Sequence, residues 1–380
     1  MTANHLLEIE DFGQSIWMDN LSRDLIESGE LKNLIVEKGI RGITSNPAIF
    51  EKAIAGNKIY DADIEAGIKK GKSVLEIYES LAFKDIQDAC DIFKPVYEQT
   101  NGLDGYISIE VPPNIAEDTE STINEAIRYY NAVDRENLMI KIPGTPEGLP
   151  AVTKVISEGI NVNVTLLFSV DSYVNTFMAY IEGLEARAAK GEDISKIASV
   201  ASFFLSRIDS KIDELSDEKL KGVTDLNKKA KLEAVKGKVA IANAKVAYQE
   251  YKKIIQSDRW KALSAKGANV QRLLWASTST KNPAYSDVMY VDELIGPNTV
   301  NTLPPNTMDA CADHCDVENR VETKVDEAYQ LIDSLKDPDI DVDLDKVMDE
   351  LLAEGIDKFV KPFSSLLGSL EDKVKRLAPV

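Results

Sequence analysis

Eight short β-like runs, each followed by helical sequence, fill the chain up to about Pro305. They read "QSIWMD", "GITSN", "GYISIEV", "LMIKIP", "INVNVTLLF", "SVASFFL", "VQRLLWAS" and "NTVNTL". Between them lie amphipathic segments such as "SRDLIESGELKNLIVEKG" and "STINEAIRYYNAV". The second of these opens within "EDTESTINE", rich in N-cap and first-turn residues. Strand–helix alternation implies parallel strands joined by helical crossovers. Eight such units are the count of an α/β (β/α)8 TIM barrel. An open, doubly wound sheet is the competing architecture. It requires continuously apolar strands, because helices cover both of its faces.

The runs alternate instead. Ile107, Ile109 and Val111 share one face, and Tyr106, Ser108 and Glu110 the other. Val162, Val164 and Leu166 oppose Asn161, Asn163 and Thr165, while Ile16 and Met18 oppose Ser15, Trp17 and Asp19. In the fourth run, Leu138, Ile140 and Ile142 make one face and Met139 and Lys141 the other. Thr44 and Asn46 share a face in the second. If the apolar faces meet the surrounding helices, the polar faces point into the barrel. The inward set is then Asp19, Asn46, Glu110, Lys141, Asn163, Thr165, Ser202 and Ser277, gathered late in their strands. The C-terminal ends of the strands are where TIM-barrel active sites are built.

Two segments depart from the pattern. From about Asp209 to Gln256 the chain is helical, rich in Lys and Ala, and reads as two helices joined near "GKVA", a surface elaboration after the sixth strand. After Pro305 an acidic tail reads as helices carried outside the barrel. With no repeat of solenoid period, the expectation is a single domain over 1–380, with the barrel at about 10–305 and a helical extension at about 306–380.

A net charge of −20 argues against a nucleic-acid or anionic-membrane binder. Any anionic substrate would need locally concentrated Lys or Arg. No apolar run approaches the roughly 20 residues of a membrane span, and "MTANHLLEIEDFG" lacks the basic start and apolar core of a signal peptide. Three cysteines make no disulfide framework, so the expected compartment is reducing and cytoplasmic. "CADHC", Cys311 to Cys315, has too few potential ligands around it for zinc and reads as a reduced loop or helix cap. "GTPEGLPA" lacks the Gly-Lys-Ser/Thr ending of a phosphate loop and reads as a turn after the fourth strand.

A lysine drawn into a closed interior loses hydration, which favours the free amine. A free amine can attack a ketone and form a Schiff base, whose protonated form is an electron sink for breaking a neighbouring carbon–carbon bond. Asp19 and Glu110 offer carboxylates for the accompanying proton transfers. Asn46 and Asn163 can hold sugar hydroxyls, and Thr165 and Ser202 can position water. The alternative is a structural Lys141–Glu110 ion pair with no chemistry.

These residues resemble those of the transaldolase family, most closely its longer bacterial type. "IWMDNLSRDLI" resembles the first-strand segment and makes Asp19 an acid/base. "GITSNPAIF" places Thr44 and Asn46 near the sugar, and "ISIEVPP" makes Glu110 the second acid/base. "LMIKIPGTPEGLPA" resembles the Schiff-base strand, with Lys141 as nucleophile. "GINVNVTLLFS" gives Asn163 as a substrate ligand and Thr165 as the residue that positions water. "SFFLSR" gives Ser202 and a phosphate-binding Arg207. After the seventh strand the family often carries Arg-Asn; "WASTSTKNPAY" offers Ser277, Lys281 and Asn282 instead. The resemblance implies transfer of a dihydroxyacetone unit from sedoheptulose 7-phosphate to glyceraldehyde 3-phosphate, giving erythrose 4-phosphate and fructose 6-phosphate. It implies sugar-phosphate substrates, no cofactor and no metal, since the iminium is the electron sink. The inserted helices and long tail exceed the family's short form, so both monomer and homodimer stay open. The nearest rival is a fructose-6-phosphate aldolase, which releases the three-carbon unit. Glu110 and Phe204 fit the transferase pattern. A non-catalytic sugar-phosphate-binding barrel is the remaining alternative.

Overall fold

The computed structural model describes residues 4–378. The first three residues of "MTANHLLEIEDFG" and the last two of the acidic tail lie outside them. Eight parallel strands close into a barrel in chain order. They are β1 (Gln14–Asp19), β2 (Gly42–Thr44), β3 (Tyr106–Glu110), β4 (Leu138–Pro143), β5 (Asn161–Leu167), β6 (Ser199–Phe204), β7 (Arg272–Ala276) and β8 (Thr299–Leu303). Each lies within its expected run, and β8 pairs with β1 to close the cylinder. The open doubly wound alternative is thereby excluded.

Register carries the strand pattern into three dimensions. Glu110 pairs with Lys141 and Lys141 with Asn163, so β3, β4 and β5 present these three as one row on the inner face. Asp19 pairs with Thr44 in the same way. The outward residues Leu138, Ile140 and Ile142 are fully buried against the helical layer. The floor of the barrel is closed by Trp17, whose indole lies where a side chain on residue 42 would be: a Cβ on Gly42 would come within 2.6 Å of it. Beside it, Arg272 and Asp104 form a buried ion pair at 2.9 Å.

Three expectations need correction. The helical stretch after β6 is three helices, Ser206–Leu220, Leu226–Val235 and Val239–Gln256. The join near "GKVA" is there, but the chain also turns at Gly222, whose φ of +75° is easy only for glycine. Nor is the whole stretch a surface elaboration: Leu226–Val235 is mostly exposed, but Val239–Gln256 is not. Ala240, Ala244 and Ala247 of Val239–Gln256 are fully buried; small side chains let this helix pack closely into the helical layer. The cysteines of "CADHC" are not reduced: Cys311 and Cys315 form a disulfide. Four residues apart at the end of helix Pro305–His314, they lie one turn above each other. Cys90 is free and buried.

The tail ends in a 34-residue helix, Leu344–Leu377, capped by Asp343. It lies outside the strand cylinder, as expected, but against the barrel mouth. Its buried residues Leu351, Gly355, Phe359, Phe363, Leu366 and Leu370 form one stripe at helical spacing. No helix of the described residues is long and apolar enough to cross a membrane.

Candidate active site

At the C-terminal ends of the strands opens a cavity of about 220 Å³. Asp19, Thr44, Asn46, Lys141, Thr165 and Ser202 line its inner part, and Arg207, Ser277 and Lys281 its outer part. Glu110 and Asn163 are not in its wall. Glu110 faces a neighbouring chamber of about 10 Å³, room for one water molecule.

Lys141 is 5% exposed. Its Nζ donates to the backbone oxygen of Ser45 at 2.8 Å and stands 3.6 Å from Glu110 Oε2, an ion-pair distance too long for a good hydrogen bond. Neither Glu110 oxygen has a hydrogen-bond partner among the described residues. Burial pushes the Glu110 carboxyl up to about 7; Lys141 opposes the shift and Asp19 adds to it. Burial also raises the pKa of Asp19, against the pull of Lys141 and of a 2.8 Å hydrogen bond from Thr44 Oγ1. One lysine thus faces two carboxyl groups that disfavour each other's charge, the arrangement suited to holding and moving a proton.

The amides and hydroxyls divide by layer. Asn163 donates from Nδ2 to Ser108 Oγ at 3.1 Å and accepts at Oδ1 from Ser202 Oγ at 2.7 Å, so it sits beneath the cavity and orients Ser202. Thr165 Oγ1 is buried at the wall and unpartnered. Asn46 lies beyond β2 as N-cap of helix Pro47–Ile54, accepting from Ile49 N at 3.0 Å. That cap fixes its side chain and leaves the amide nitrogen for a ligand.

The outer part is cationic. Arg207 follows β6, with its guanidinium 5.1 Å from the centroid of the Phe204 ring. Its Nη1 is buried and unpartnered. Burial pulls its pKa below the usual value, with Glu354, Asp19 and Glu110 pushing back. Lys281 donates to Ser279 Oγ at 2.7 Å; burial and the nearby Arg207 lower its pKa. Ser277 reaches the wall by leaving the strand rather than by alternation. β7 stops at Ala276, and Ser277 turns with φ +54° to meet Ser206 Oγ at 2.7 Å.

Strand reasoning missed Thr302 and Phe359. Thr302 follows Val300 on the inner face of β8 and meets Thr44 Oγ1 at 2.7 Å; "NTVNTL" puts one apolar residue on each face, so only pairing with β1 places it. Phe359 comes from the C-terminal helix, with its ring centroid 5.7 Å from Lys141 Nζ. No strand period could place it. Phe363, one turn on, packs edge-on against Tyr78 at 5.6 Å and borders the chamber beside Glu110. Among the described residues no group of three or more His, Cys, Asp or Glu is placed to hold a metal ion.

Residues 16–370 match the model of the family described as "Transaldolase/Fructose-6-phosphate aldolase". The chain is 82% identical over 380 residues to a protein of Trichodesmium erythraeum named "Transaldolase", with both chains covered in full. It is 73% identical over 381 residues to "Transaldolase 2" of Nostoc sp. strain PCC 7120, again in full. It is 48% identical over 376 residues to a "Transaldolase" of Saccharopolyspora erythraea, covering 98% of this chain and 99% of that one.

Proposed function

We propose, for a chain that belongs to the transaldolase/fructose-6-phosphate aldolase family, that it works as a transaldolase with Lys141 as its Schiff-base nucleophile. It is a transferase that moves a dihydroxyacetone unit between phosphorylated sugars. The observation that carries the residue assignment is the buried Lys141 amine at the cavity wall, 3.6 Å from a carboxyl that burial pushes up to about 7.

Sedoheptulose 7-phosphate binds with its phosphate at Arg207, Lys281 and Ser277. The Lys141 amine adds to C2 of the donor, and loss of water gives the iminium. Asp19 takes the proton of the C4 hydroxyl; the C3–C4 bond breaks into the iminium and erythrose 4-phosphate leaves. The retained enamine attacks the aldehyde carbon of glyceraldehyde 3-phosphate, and hydrolysis of the new imine gives fructose 6-phosphate. Glu110, through a water positioned by Thr165, supplies and removes protons in imine formation and hydrolysis. Thr44 orients Asp19, Asn46 holds substrate hydroxyls directly, and Asn163 serves the same wall through Ser202.

The chain acts as one domain over 1–380, because the C-terminal helix of the extension supplies a wall of the barrel's cavity. It works on sugar phosphates in the cytoplasm, as a monomer or homodimer with neither nucleic acid nor membrane as partner. Borohydride reduction with fructose 6-phosphate should attach the three-carbon or six-carbon unit to Lys141. An unlabelled protein, or one still labelled after Lys141→Ala, would refute the assignment. In a coupled assay, free dihydroxyacetone made at full rate without an acceptor would instead support a hydrolytic aldolase.

A further inference from the structure

The C-terminal helix is clamped across the barrel mouth from both sides. Near its start, Lys211 Nζ reaches Glu354 Oε1 at 3.0 Å and Glu350 Oε2 at 3.2 Å. Further along, Ser365 bonds Glu51, and Lys373 pairs with Asp61 at 2.6 Å. Between the clamps the helix comes close to the site because residue 355 has no side chain. A Cβ on Gly355 would lie 2.9 Å from Leu166 Cδ2 and 3.4 Å from Arg207 Nη1. One turn later the same stripe delivers Phe359.

Polar groups surround most of Lys141 Nζ: Ser45 O at 2.8 Å and Glu110 at 3.6 Å. Phe359 is the apolar exception, 5% exposed and in the cavity wall. A gap of 5.7 Å between nitrogen and ring centroid holds one layer of atoms. Carbons bonded to Nζ on the side that faces the ring therefore lie in van der Waals reach of it.

We propose that Phe359 is a specificity-determining residue that shields the lysine-bound three-carbon intermediate from water and so favours transfer over release. The proposal rests on the Schiff-base reading of Lys141. Transfer and release diverge at one atom of the enamine. Its central carbon, C2, carries the lysine nitrogen and a hydroxymethyl arm, and is double-bonded to a terminal carbon that bears a hydroxyl. In transfer that terminal carbon bonds to an aldehyde carbon, and the aldehyde oxygen takes a proton. In release the terminal carbon takes a proton itself. Water then adds to C2, the C2–N bond breaks, and the amine returns: enamine plus one water gives free lysine plus dihydroxyacetone. Hydrolysis at C2 ends both routes and uses the Glu110–Thr165 side. Only release needs a proton donor on the carbon's open face, and a phenyl ring donates none. Excluding water from a reactive intermediate is a recognised means of suppressing such side reactions.

The test measures free dihydroxyacetone against transfer product, with fructose 6-phosphate as donor and erythrose 4-phosphate as acceptor. Phe359→Gln keeps much of the bulk but brings an amide that can hold water; Phe359→Ala opens the space; Phe359→Leu keeps an apolar cover. Gln and Ala should raise the release-to-transfer ratio by at least about fivefold, and Leu should raise it by less than that. Thermal unfolding of each variant reports whether it is folded. If Ala does not fold, the Gln and Leu pair decides. A ratio changed by less than about fivefold in folded Gln, or Leu rising as far as Gln, overturns the proposal. Borohydride labelling of the wild type separates the two readings. No label on Lys141 removes the Schiff-base reading, whereas a label with an unchanged ratio removes only the role of Phe359.

Discussion

At the floor of the barrel both oxygens of the Asp104 carboxylate accept hydrogen bonds: one from Ser15 at 2.7 Å, the other from Trp17 at 3.0 Å and Arg272 at 2.9 Å. At the mouth neither oxygen of Glu110 has a hydrogen-bond partner among the described residues. Both ion pairs are almost wholly buried. A buried pair repays its desolvation only when its remaining donors and acceptors are satisfied, as at the floor. The mouth leaves that cost standing and keeps its bonding capacity for other chemistry. The same fold therefore carries one charge pair that holds strands together and one that does not.

Removing each pair's cation should separate the two most sharply. Lys141→Ala should lower kcat by about 10⁴-fold or more, as loss of a nucleophile does. Its stability cost at pH 6 should be small, because Glu110, pushed up to about 7, is protonated there and carries no orphaned charge. Arg272→Met should do the reverse. It leaves Asp104 charged and uncompensated, costing about 3–5 kcal/mol in denaturant unfolding, while kcat of the folded protein stays within about threefold. A variant of either kind that lost stability and activity together would erase the distinction.

Glu110→Gln should lower kcat by about 10²-fold to 10³-fold. It should also change how stability depends on pH. The folded carboxyl titrates near 7 against an ordinary value of 4.5, so between these the folded state binds more protons than the unfolded. The Glu110 contribution to wild-type stability is then greatest below about 4.5 and falls as pH rises to about 7. The glutamine variant should lose that part of the slope while Asp209 and Asp292, pushed up to about 6, keep theirs, and equal slopes in urea titrations would show that the mouth stores no such cost. Smaller effects belong to the outer cavity. Arg207→Ala should raise KM for phosphorylated donors by about 10-fold or more, and increasingly less at high salt. Lys281→Ala should raise it by about threefold, since a partly solvated point charge contributes less than a bidentate guanidinium.

The strand count and the direction of Lys141 were legible in the sequence because period-two alternation is local. A one-residue slip would have sent Lys141, Glu110 and Asn163 all to the wrong face. The grouping of Asp19 with Lys141 needed the barrel's closure, which the count of eight supplied. Other features departed from the strand reading. Ser277 was expected at the cavity by alternation, but it reaches it through a left-handed residue outside any strand. The break at Gly222 carries its own signal, a left-handed glycine followed by the N-cap Asp225, which a reading by Lys and Ala composition passes over. Phe359, more than fifty residues beyond β8, depends on where its helix comes to rest. That position is set by Gly355, Lys211 and Lys373, contacts distant in sequence. The Cys311–Cys315 bridge was misread because odd cysteine counts bear on frameworks, not on one pair within a helical turn.

The hydrogen bond from Lys141 to Ser45 O has a stereochemical consequence. An amine has several N–H bonds and can rotate about its own stem while keeping one partner. On the proposed mechanism the nitrogen becomes an iminium with a single N–H and no free rotation about C=N. If that N–H stays on Ser45 O, the plane of the iminium is fixed and the two carbon arms of the bound unit are confined to its two in-plane positions. With each arm kept in one position by its own contacts, one prochiral face of the enamine points to the open side of the cavity and the new carbon–carbon bond forms with a single handedness. The carbonyl that dictates it belongs to the backbone, immediately before Asn46, whose side chain caps the following helix and fixes the peptide in place.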